Sequence, residues 1–365
     1  MSKTEPAAFD LWTLVCFAPM MKRSILTSTS IFCALAFAGP ASAQDVRVLG
    51  RSIPDRSGGF TMQWPGSGFE ARFRGTTLTA SIEDYGQTSL NVEVDGKVSR
   101  LDLTPGTHVY TLFTGAGGDH TIRTTRRTNA NAGPTRIGMV RSDGTVQPTP
   151  PPERRMLVIG DSVSSGYGVE GTDQSCTYSR ATQNHDAAYA ALTARAFGAD
   201  LHSLAIDGAG LVRNYSGAKS TITSQIKNTL PDDPRPWSVA AFQPQVIVVY
   251  LGTNDFSGSD PGPDFGSAYV KILGDLRSDY PKAQIFAAIG PMLGGSAYTA
   301  ARDSIRAAVK ARRALGDSKA EVIEFQPPRS GRQFGCDWHP GLDAQKNMAE
   351  TLQRAIARDL GWSRQ

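Results

Sequence analysis

Cysteine is scarce in this chain, with four residues in 365, and the formal net charge is only +4. Two of the cysteines, Cys16 and Cys33, precede a predicted signal-peptidase site, so the mature chain can form one disulfide at most. Lysine and arginine are scattered, apart from short runs such as Arg126-Arg127. This distribution argues against nucleic acid as a partner.

Metal-ligand spacings and phosphate-binding motifs are also missing. No ligand spacing relates the four histidines that precede the C-terminal region: His108, His120, His185 and His202. The glycine-rich segments lack the G-x-x-x-x-G-K arrangement that cradles phosphates. The sequence therefore predicts neither a metal site nor a bound cofactor.

No apolar run long enough to span a membrane follows residue 43. Before it, a basic segment at Met20–Arg23 and a mostly apolar stretch at Ile25–Ala38 lead to Ala41-Ser42-Ala43, which fits a signal-peptidase site. We therefore expect residues 1–43 to be a presequence. The mature protein is expected to be soluble and exported, to the periplasm or the medium, with no membrane partner.

Residues 45–142 have the alternation of half-buried strands and no helical period. Leu78, Ala80 and Ile82 alternate with polar neighbours, and Asp95-Gly96 is typical of a hairpin turn. Two further short strands are predicted over His108–Phe113 and His120–Arg126, with a turn between them. This pattern predicts an antiparallel β-sandwich of jelly-roll type.

A proline-rich stretch, residues 143–155, is predicted to be a semi-rigid linker. After it, residues 156–361 alternate between buried strands and helices, which predicts a doubly wound parallel α/β domain. The predicted strands are Met156–Ile159, Asp200–Ile206, Gln245–Leu251, Gln284–Ile289 and Glu321–Phe325. Helical spacing is found at Tyr189–Phe197, Tyr269–Leu276, Ala300–Leu315 and Leu342–Leu360.

In such a sheet the residues that follow the strands meet at one edge, where ligands bind. The loops there supply the groups of an acyl-transfer site: Ser162, Gly208, Asn254, Asp337 and His339. A serine needs a base, and His339 is the one histidine in such a loop before a helix. The tetrahedral oxyanion needs donors, which the N–H groups of Ser162 and Gly208 and the Asn254 amide can provide. Asp337 could orient the imidazole as the acid of a triad.

Each of these residues also has a structural interpretation. A lone Gly-Asp-Ser more often begins a helix with a serine cap, and Asn254 alone is more typical of a turn. Asp161 and Asp255 are expected to hold loops by hydrogen bonds. The catalytic interpretation is favoured because one topology would bring all the groups together.

The blocks GDSVSSGYG, Gly208, GTND and DWHP, in this order, resemble those of the SGNH (GDSL-type) hydrolases. Further segments are similar to carbohydrate esterase family 2: WPGSGFEARFRGT, TRRTNANAGP, GYGVEG, LGTNDFS and GCDWHP. The resemblance implies a β-sandwich followed by an SGNH domain that removes O-acetyl groups from xylan or glucomannan. It makes Ser162 the nucleophile and His339 the base, with Asp337 as acid unless a backbone carbonyl replaces it.

Two other functions fit the same residues. One is a short-chain or peptidoglycan-acetyl esterase of the same fold. The other is a glycan-binding protein whose hydrolase domain is inactive. The sequence departs from the family pattern at Gln183-Asn184, where a Glu-Asn pair is expected, and we predict no catalytic role for this pair.

Aromatic residues near the predicted site suit the apolar faces of sugar rings. Trp338, Tyr167 and Tyr215 are the predicted substrate-binding residues, with packing of the loops as the alternative. Cys176 and Cys336 lie in two loops near the site, and in an oxidising compartment they are predicted to form a disulfide. Two separate buried thiols are the alternative.

Overall fold

A computed structural model describes residues 45–215, 217 and 220–365. The predicted presequence, with its cleavage site and the cysteines at 16 and 33, lies outside the described residues. Within the described part of the chain, no helix is both long enough and apolar enough to cross a membrane.

The N-terminal domain is an antiparallel β-sandwich in which nine strands are connected by hydrogen bonds. Its strands are β1 (Arg47–Leu49), β2 (Ser52–Pro54), β3 (Phe60–Met62), β4 (Gly68–Asp84), β5 (Ser89–Val94), β6 (Lys97–Asp102), β7 (Gly106–Arg126), β8 (Thr135–Ser142) and β9 (Thr145–Pro148). The long strands β4 and β7 pair along most of their length, and register shifts after Gly75 and Leu78 bend them. Their inward-facing side chains form one core.

The predicted hairpin turn between β5 and β6 forms at Asp95-Gly96. Both residues have positive φ, 48° and 80°, as the tight turn that matches the strand twist requires. Asparagine, aspartate and glycine tolerate this conformation best, which is why the dipeptide was informative in the sequence.

Two predictions for this region are wrong. The strands predicted over His108–Phe113 and His120–Arg126 form a single strand, β7, because the intervening residues stay extended and Gly118 and Asp119 pair with β4. Within the predicted linker at 143–155, Thr145–Pro148 forms β9, which pairs with β4. Proline is tolerated here because Pro148 is the last residue of a strand with one partner.

The C-terminal domain contains a five-stranded parallel sheet in the order β11-β10-β14-β15-β16. The strands of this sheet are β10 (Arg155–Gly160), β11 (Asp200–Ala205), β14 (Val246–Tyr250), β15 (Gln284–Ile289) and β16 (Ala320–Glu324). A separate hairpin consists of β12 (Asn228–Leu230) and β13 (Asp233–Pro236). The helices are α1 (Ser162–Ser165), α2 (Tyr189–Ala196), α3 (Ile222–Gln225), α4 (Pro263–Asp279), α5 (Gly295–Ala314) and α6 (Leu342–Leu360).

Both faces of this sheet are covered, and β14 shows how. Ile247 and Val249 belong to one buried cluster, with α4 and α5, while Val246, Val248 and Tyr250 belong to another, with α2 and α6. Because successive side chains of a strand point to opposite faces, a strand between two helical layers is apolar throughout. The doubly wound α/β prediction is confirmed.

The strand order reverses at β10. The chain passes from β10 to its neighbour β11 on one side and later returns to β14 on the other side. The loops that follow these three strands therefore leave from the same edge, at the position where open α/β sheets bind ligands. These loops contain Ser162, Gly208 and Asn254.

The N-terminal domain packs directly against the C-terminal domain. The indole of Trp64 donates to the carbonyl of Thr229 at 2.9 Å, and the Arg51 guanidinium donates to the carbonyl of Asn228 at 2.7 Å. The His185 N–H donates to the carbonyl of Arg127 at 3.0 Å. Buried main-chain and side-chain groups are thus hydrogen-bonded across the two domains.

Candidate active site

Ser162 is the first residue of α1, directly after β10. The cap of this short helix is Asp161, whose Oδ1 accepts from the N–H of Val163 at 3.0 Å. Asp161 is fully buried, and burial raises the pKa of its carboxyl to about 8. The serine is therefore not used as the cap, and its hydroxyl is available for another contact.

The Ser162 hydroxyl contacts the imidazole of His339, with 2.8 Å between Oγ and Nε2. The other ring nitrogen, Nδ1, lies 3.0 Å from the main-chain oxygen of Asp337. A carbonyl oxygen only accepts, so Nδ1 has to be the protonated nitrogen of the neutral ring. Nε2 is then the acceptor for the Ser162 proton. Burial lowers the pKa of His339 to about 4, which keeps the ring neutral above that pH.

The carboxylate of Asp337, predicted as the acid of a triad, does not bind the imidazole. Its Oδ2 instead accepts from the Tyr167 hydroxyl and from the N–H of Tyr178, both at 2.9 Å. Asp337 and Trp338 both have left-handed backbone, with φ of 52° and 64°. This tight turn brings the carbonyl of Asp337, rather than its side chain, to His339, so the expectation of a carboxylate acid is corrected.

Gly208, a predicted oxyanion donor, adopts φ 78°, which suits a residue without Cβ. Its N–H donates to no other residue within the described part of the chain. Gly210, two residues further along the same loop, has its N–H bound to the Asn214 side chain at 2.9 Å. Of the two glycines, only Gly208 therefore has its N–H available for a substrate oxygen.

The Asn254 side chain, the second predicted donor, is anchored close to Gly208. Its amide nitrogen donates to the carbonyl of Ala209 at 2.8 Å, which leaves one amide hydrogen for another acceptor. The next residue, Asp255, is fully buried and binds the N–H groups of Leu211 and Val212 at 3.0 and 2.7 Å. Asp255 thus holds the Gly208 loop, as the structural interpretation of this residue predicted.

The predicted substrate-binding aromatics divide into two groups. The ring of Tyr167 packs between those of His339 and Tyr178, with centroids 4.2 and 4.4 Å away. By contrast, Trp338 and Tyr215 are 63% and 74% exposed. The main-chain N–H of Tyr215 donates to the carbonyl of Gly208 at 2.9 Å, which places the backbone of Tyr215 next to the predicted oxyanion donor. Tyr167 supports the imidazole, whereas Trp338 and Tyr215 face solvent near the site.

A disulfide joins Cys176 to Cys336, and their Cα atoms are 4.6 Å apart. Beside it, the N–H of Asp337 donates to the carbonyl of Cys176 at 2.9 Å. The loop that follows α1 is thereby tied to the loop that contains His339. A cross-link of this kind restricts the motion of the imidazole relative to Ser162.

Sequence reasoning missed a network of polar side chains beneath the site. Asp207 precedes Gly208, and its carboxylate accepts from the Ser165 hydroxyl and the Asn129 amide, each at 2.5 Å. The amide of Gln183 donates to the Ser165 hydroxyl at 3.1 Å. Two sequence signals touched this network: the departure at Gln183 and the segment TRRTNANAGP, which contains Asn129. No group of histidine, cysteine or acidic side chains that could hold a metal ion occurs in the described residues.

Two family models match consecutive parts of the chain. One, described as carbohydrate esterase 2 N-terminal, matches residues 48–152, and the GDSL-like lipase/acylhydrolase family model matches residues 158–356. A family two carbohydrate esterase from Clostridium thermocellum, solved in complex with cellohexaose, is 33% identical and superposes with a TM-score of 0.84. The match covers 87% of this chain and 99% of that one. This chain belongs to carbohydrate esterase family 2.

Two curated relatives of this family 2 esterase are named for the reactions they catalyse. The cellulase/esterase CelE of Acetivibrio thermocellus is 34% identical over 305 residues, which are 82% of this chain but only 38% of CelE. An acetylxylan esterase / glucomannan deacetylase of Cellvibrio japonicus is 29% identical over 324 residues, or 84% of this chain and 88% of that protein. The family resemblance predicted from the motifs is confirmed, and the chain is a carboxylic ester hydrolase.

Proposed function

We propose that this esterase removes O-acetyl groups from a plant cell-wall polysaccharide, acetylated xylan or glucomannan, through an acetyl-serine intermediate. The observation on which this depends is the 2.8 Å contact between Ser162 Oγ and His339 Nε2, in a ring whose Nδ1 binds a carbonyl oxygen. A serine paired with a neutral, oriented base is the arrangement that activates a hydroxyl nucleophile. The Cellvibrio japonicus relative supports the choice of substrates.

The first half of the reaction transfers the acetyl group to the enzyme. Ser162 Oγ attacks the ester carbonyl carbon while its proton moves to Nε2 of His339. The N–H groups of Ser162 and Gly208 and the amide of Asn254 stabilise the oxyanion that forms. The bond to the sugar oxygen then breaks, and that oxygen takes the proton from His339.

The second half releases acetate, with water as the nucleophile and Ser162 Oγ as the leaving group. A water molecule gives a proton to His339 and attacks the carbonyl carbon of the acetyl-serine. Collapse of this second tetrahedral intermediate breaks the bond to Ser162 Oγ, which recovers the proton from His339. The main-chain carbonyl of Asp337 keeps Nδ1 protonated throughout and stabilises the imidazolium by a hydrogen bond.

We further propose that the protein acts outside the cytoplasm. The predicted signal-peptidase site at Ala41-Ser42-Ala43, in the part of the chain outside the described residues, supports export. The disulfide between Cys176 and Cys336 supports an oxidising compartment. Polysaccharide substrates of plant cell walls would be met in such a location.

Acetate release from acetylated xylan and acetylated glucomannan, with acetylated peptidoglycan for comparison, tests this proposal. Ser162→Ala should lower the rate by at least ~10³-fold, as loss of a serine nucleophile does. Ser164→Ala is the matched control, because Ser164 lies in the same helix and its hydroxyl binds that of Tyr189 at 3.0 Å. Equal release by wild type and Ser162→Ala would refute the mechanism, and faster release from peptidoglycan would refute the substrate class.

A further inference from the structure

A loop of the N-terminal domain reaches the peptide that precedes Gly208. This loop connects β7 to β8, and two of its asparagines contact Asp207. The amide nitrogen of Asn129 lies 2.5 Å from Oδ2 of Asp207, and that of Asn131 lies 3.2 Å from its main-chain oxygen. Side chains of one domain thus bind the residue next to an oxyanion donor of the other.

The contact from Asn131 acts on the peptide unit that supplies the donor. The carbonyl of Asp207 and the N–H of Gly208 belong to the same planar group, and in a trans peptide they point in opposite directions. A hydrogen bond to this carbonyl therefore fixes the direction of the Gly208 N–H. It also polarises the peptide, which strengthens that N–H as a donor.

The contact from Asn129 extends to the nucleophile helix. Its amide nitrogen also lies 3.2 Å from Oε1 of Gln183, and Nε2 of Gln183 lies 3.1 Å from the Ser165 hydroxyl. Ser165 belongs to α1 with Ser162 and donates to Oδ1 of Asp207. Asn129, Asp207, Ser165 and Gln183 therefore form a closed ring that joins the Gly208 loop to the nucleophile helix.

The loop that presents both asparagines is itself held in place by Arg126. This guanidinium is fully buried and donates to the carbonyls of Asn129 and Gly133, at 3.1 and 2.8 Å. Burial lowers the pKa of Arg126 only to about 10, so it stays charged near neutral pH. Charge-assisted hydrogen bonds of this kind are stronger than neutral ones, so the buried guanidinium anchors the loop firmly.

We propose that Asn129 and Asn131 are positioning residues of the esterase reaction, which fix the Gly208 N–H relative to Ser162. The inference rests on the proposed function. An oxyanion donor stabilises charge that exists only in the transition state. Misplacing this donor should therefore lower kcat for the acetyl transfer and leave KM nearly unchanged.

The Asp207 carboxyl gives this role a signature in the pH profile. Burial raises its pKa to about 6. The hydrogen bonds from Ser165 and Asn129 act in the opposite direction and lower this pKa. The titratable groups that interact electrostatically with it are the Asp161 carboxyl and the phenols of Tyr167 and Tyr178, whose pKa values are all raised. Loss of the Asn129 donor should raise the pKa of Asp207 further.

The test compares Asn129→Ala and Asn131→Ala with Asn91→Ala in the full chain. Asn91 is a buried asparagine of the same domain, and its amide binds Asn184 and Asp186 across the interface at 3.0 and 2.9 Å. Hydrolysis of 4-nitrophenyl acetate gives kcat and KM as a function of pH, and thermal melting reports folding. Asn131 is exposed, so its variant tests the inference even if Asn129→Ala is unstable.

We expect kcat to fall by about 10-fold in Asn129→Ala and about 3-fold in Asn131→Ala, less than the loss of a whole donor. KM should stay within about 2-fold, and the acid limb of Asn129→Ala should move to higher pH. Unchanged kcat in folded Asn131→Ala, or an equal fall of kcat in Asn91→Ala, overturns this inference and leaves the proposed function standing. Activity that survives Ser162→Ala, or an inactive wild type, overturns it together with the proposed function.

Discussion

The imidazole of His339 binds the main-chain carbonyl of Asp337, while the carboxylate of the same residue binds Tyr167 and Tyr178. The carbonyl selects the tautomer and the orientation of the ring, as the acid of a triad does. It does not supply the negative charge that such an acid places beside the imidazolium. Sequence and side-chain chemistry alone favoured the carboxylate. The left-handed backbone at Asp337 instead turns the carbonyl toward the imidazole.

Asp337→Asn should therefore lower kcat by less than about 10-fold, whereas the same change in a carboxylate-dependent triad costs about 10⁴-fold. Asparagine tolerates the left-handed backbone at this position, and its amide oxygen can still accept from Tyr167 or Tyr178. Hydrolysis of 4-nitrophenyl acetate at neutral pH measures the effect, with His339→Ala as the inactive reference. A 10³-fold loss in a folded Asp337→Asn would mean that the carboxylate binds the imidazole during turnover.

The acid limb of kcat/KM should fall in two steps as the pH decreases. Protonation of Asp207, whose pKa is about 6, removes an acceptor from the ring that holds the Gly208 loop. Protonation of His339, whose pKa is about 4, removes the base, so activity is lost below that pH. Asp207→Asn should abolish the upper step, at reduced kcat, and keep the lower one. An acid limb of Asp207→Asn with its midpoint near pH 6.5, the ordinary pKa of histidine, would contradict the low pKa of His339.

Loss of the disulfide should reduce both stability and activity. The bond closes a loop of 160 residues in sequence, and such cross-links typically contribute about 2–4 kcal/mol to the free energy of unfolding. Cys176→Ser, Cys336→Ser and the double variant should all melt at a lower temperature, with a lower kcat because the His339 loop is released. Two free thiols in the unfolded, unreduced protein spanning residues 45–365 would show that the bond does not form.

Trp338→Ala should raise KM for acetylated polysaccharide several-fold and leave hydrolysis of 4-nitrophenyl acetate unchanged. The ring is 63% exposed and contacts Phe334 edge-on, so it is free to stack on a sugar. Alanine keeps the Cβ and hence the same backbone strain, so that the variant removes only the ring. An equal loss on both substrates would instead assign Trp338 a structural role in holding His339.

The sequence predicted those parts of the fold that depend on continuous patterns. The apolar run of Val246–Tyr250 and the amphipathic period of Leu342–Leu360 are local, and both elements form where they were expected. The strand at Thr145–Pro148 was missed because its pairing with β4 is set by a distant partner, whereas the four prolines of residues 143–155 suggest a linker. Strand-end loops were found because parallel topology requires them to converge.

The site was predictable only at the level of residue types. Ser162, Gly208, Asn254 and His339 were predicted to lie together because their chemistry and their positions after strands coincide. The structure places Ser162 against His339 and Asn254 beside the Gly208 loop. Which group of Asp337 faces the imidazole depends on backbone torsions, which side-chain identity does not reveal. The ring through Asn129 and Gln183 joins segments from two domains, so only the folded chain brings it together.

The loop that connects β7 to β8 has a consequence for how the two domains evolve. Its asparagines, together with Gln183 and Asp207, form a matched set that is split between separate parts of the chain. Recombination that exchanged the β-sandwich for that of a relative would separate this set unless the loop were exchanged with its partners. Selection on ester hydrolysis would therefore keep the two domains together as one evolutionary unit, although the β-sandwich has a hydrophobic core of its own.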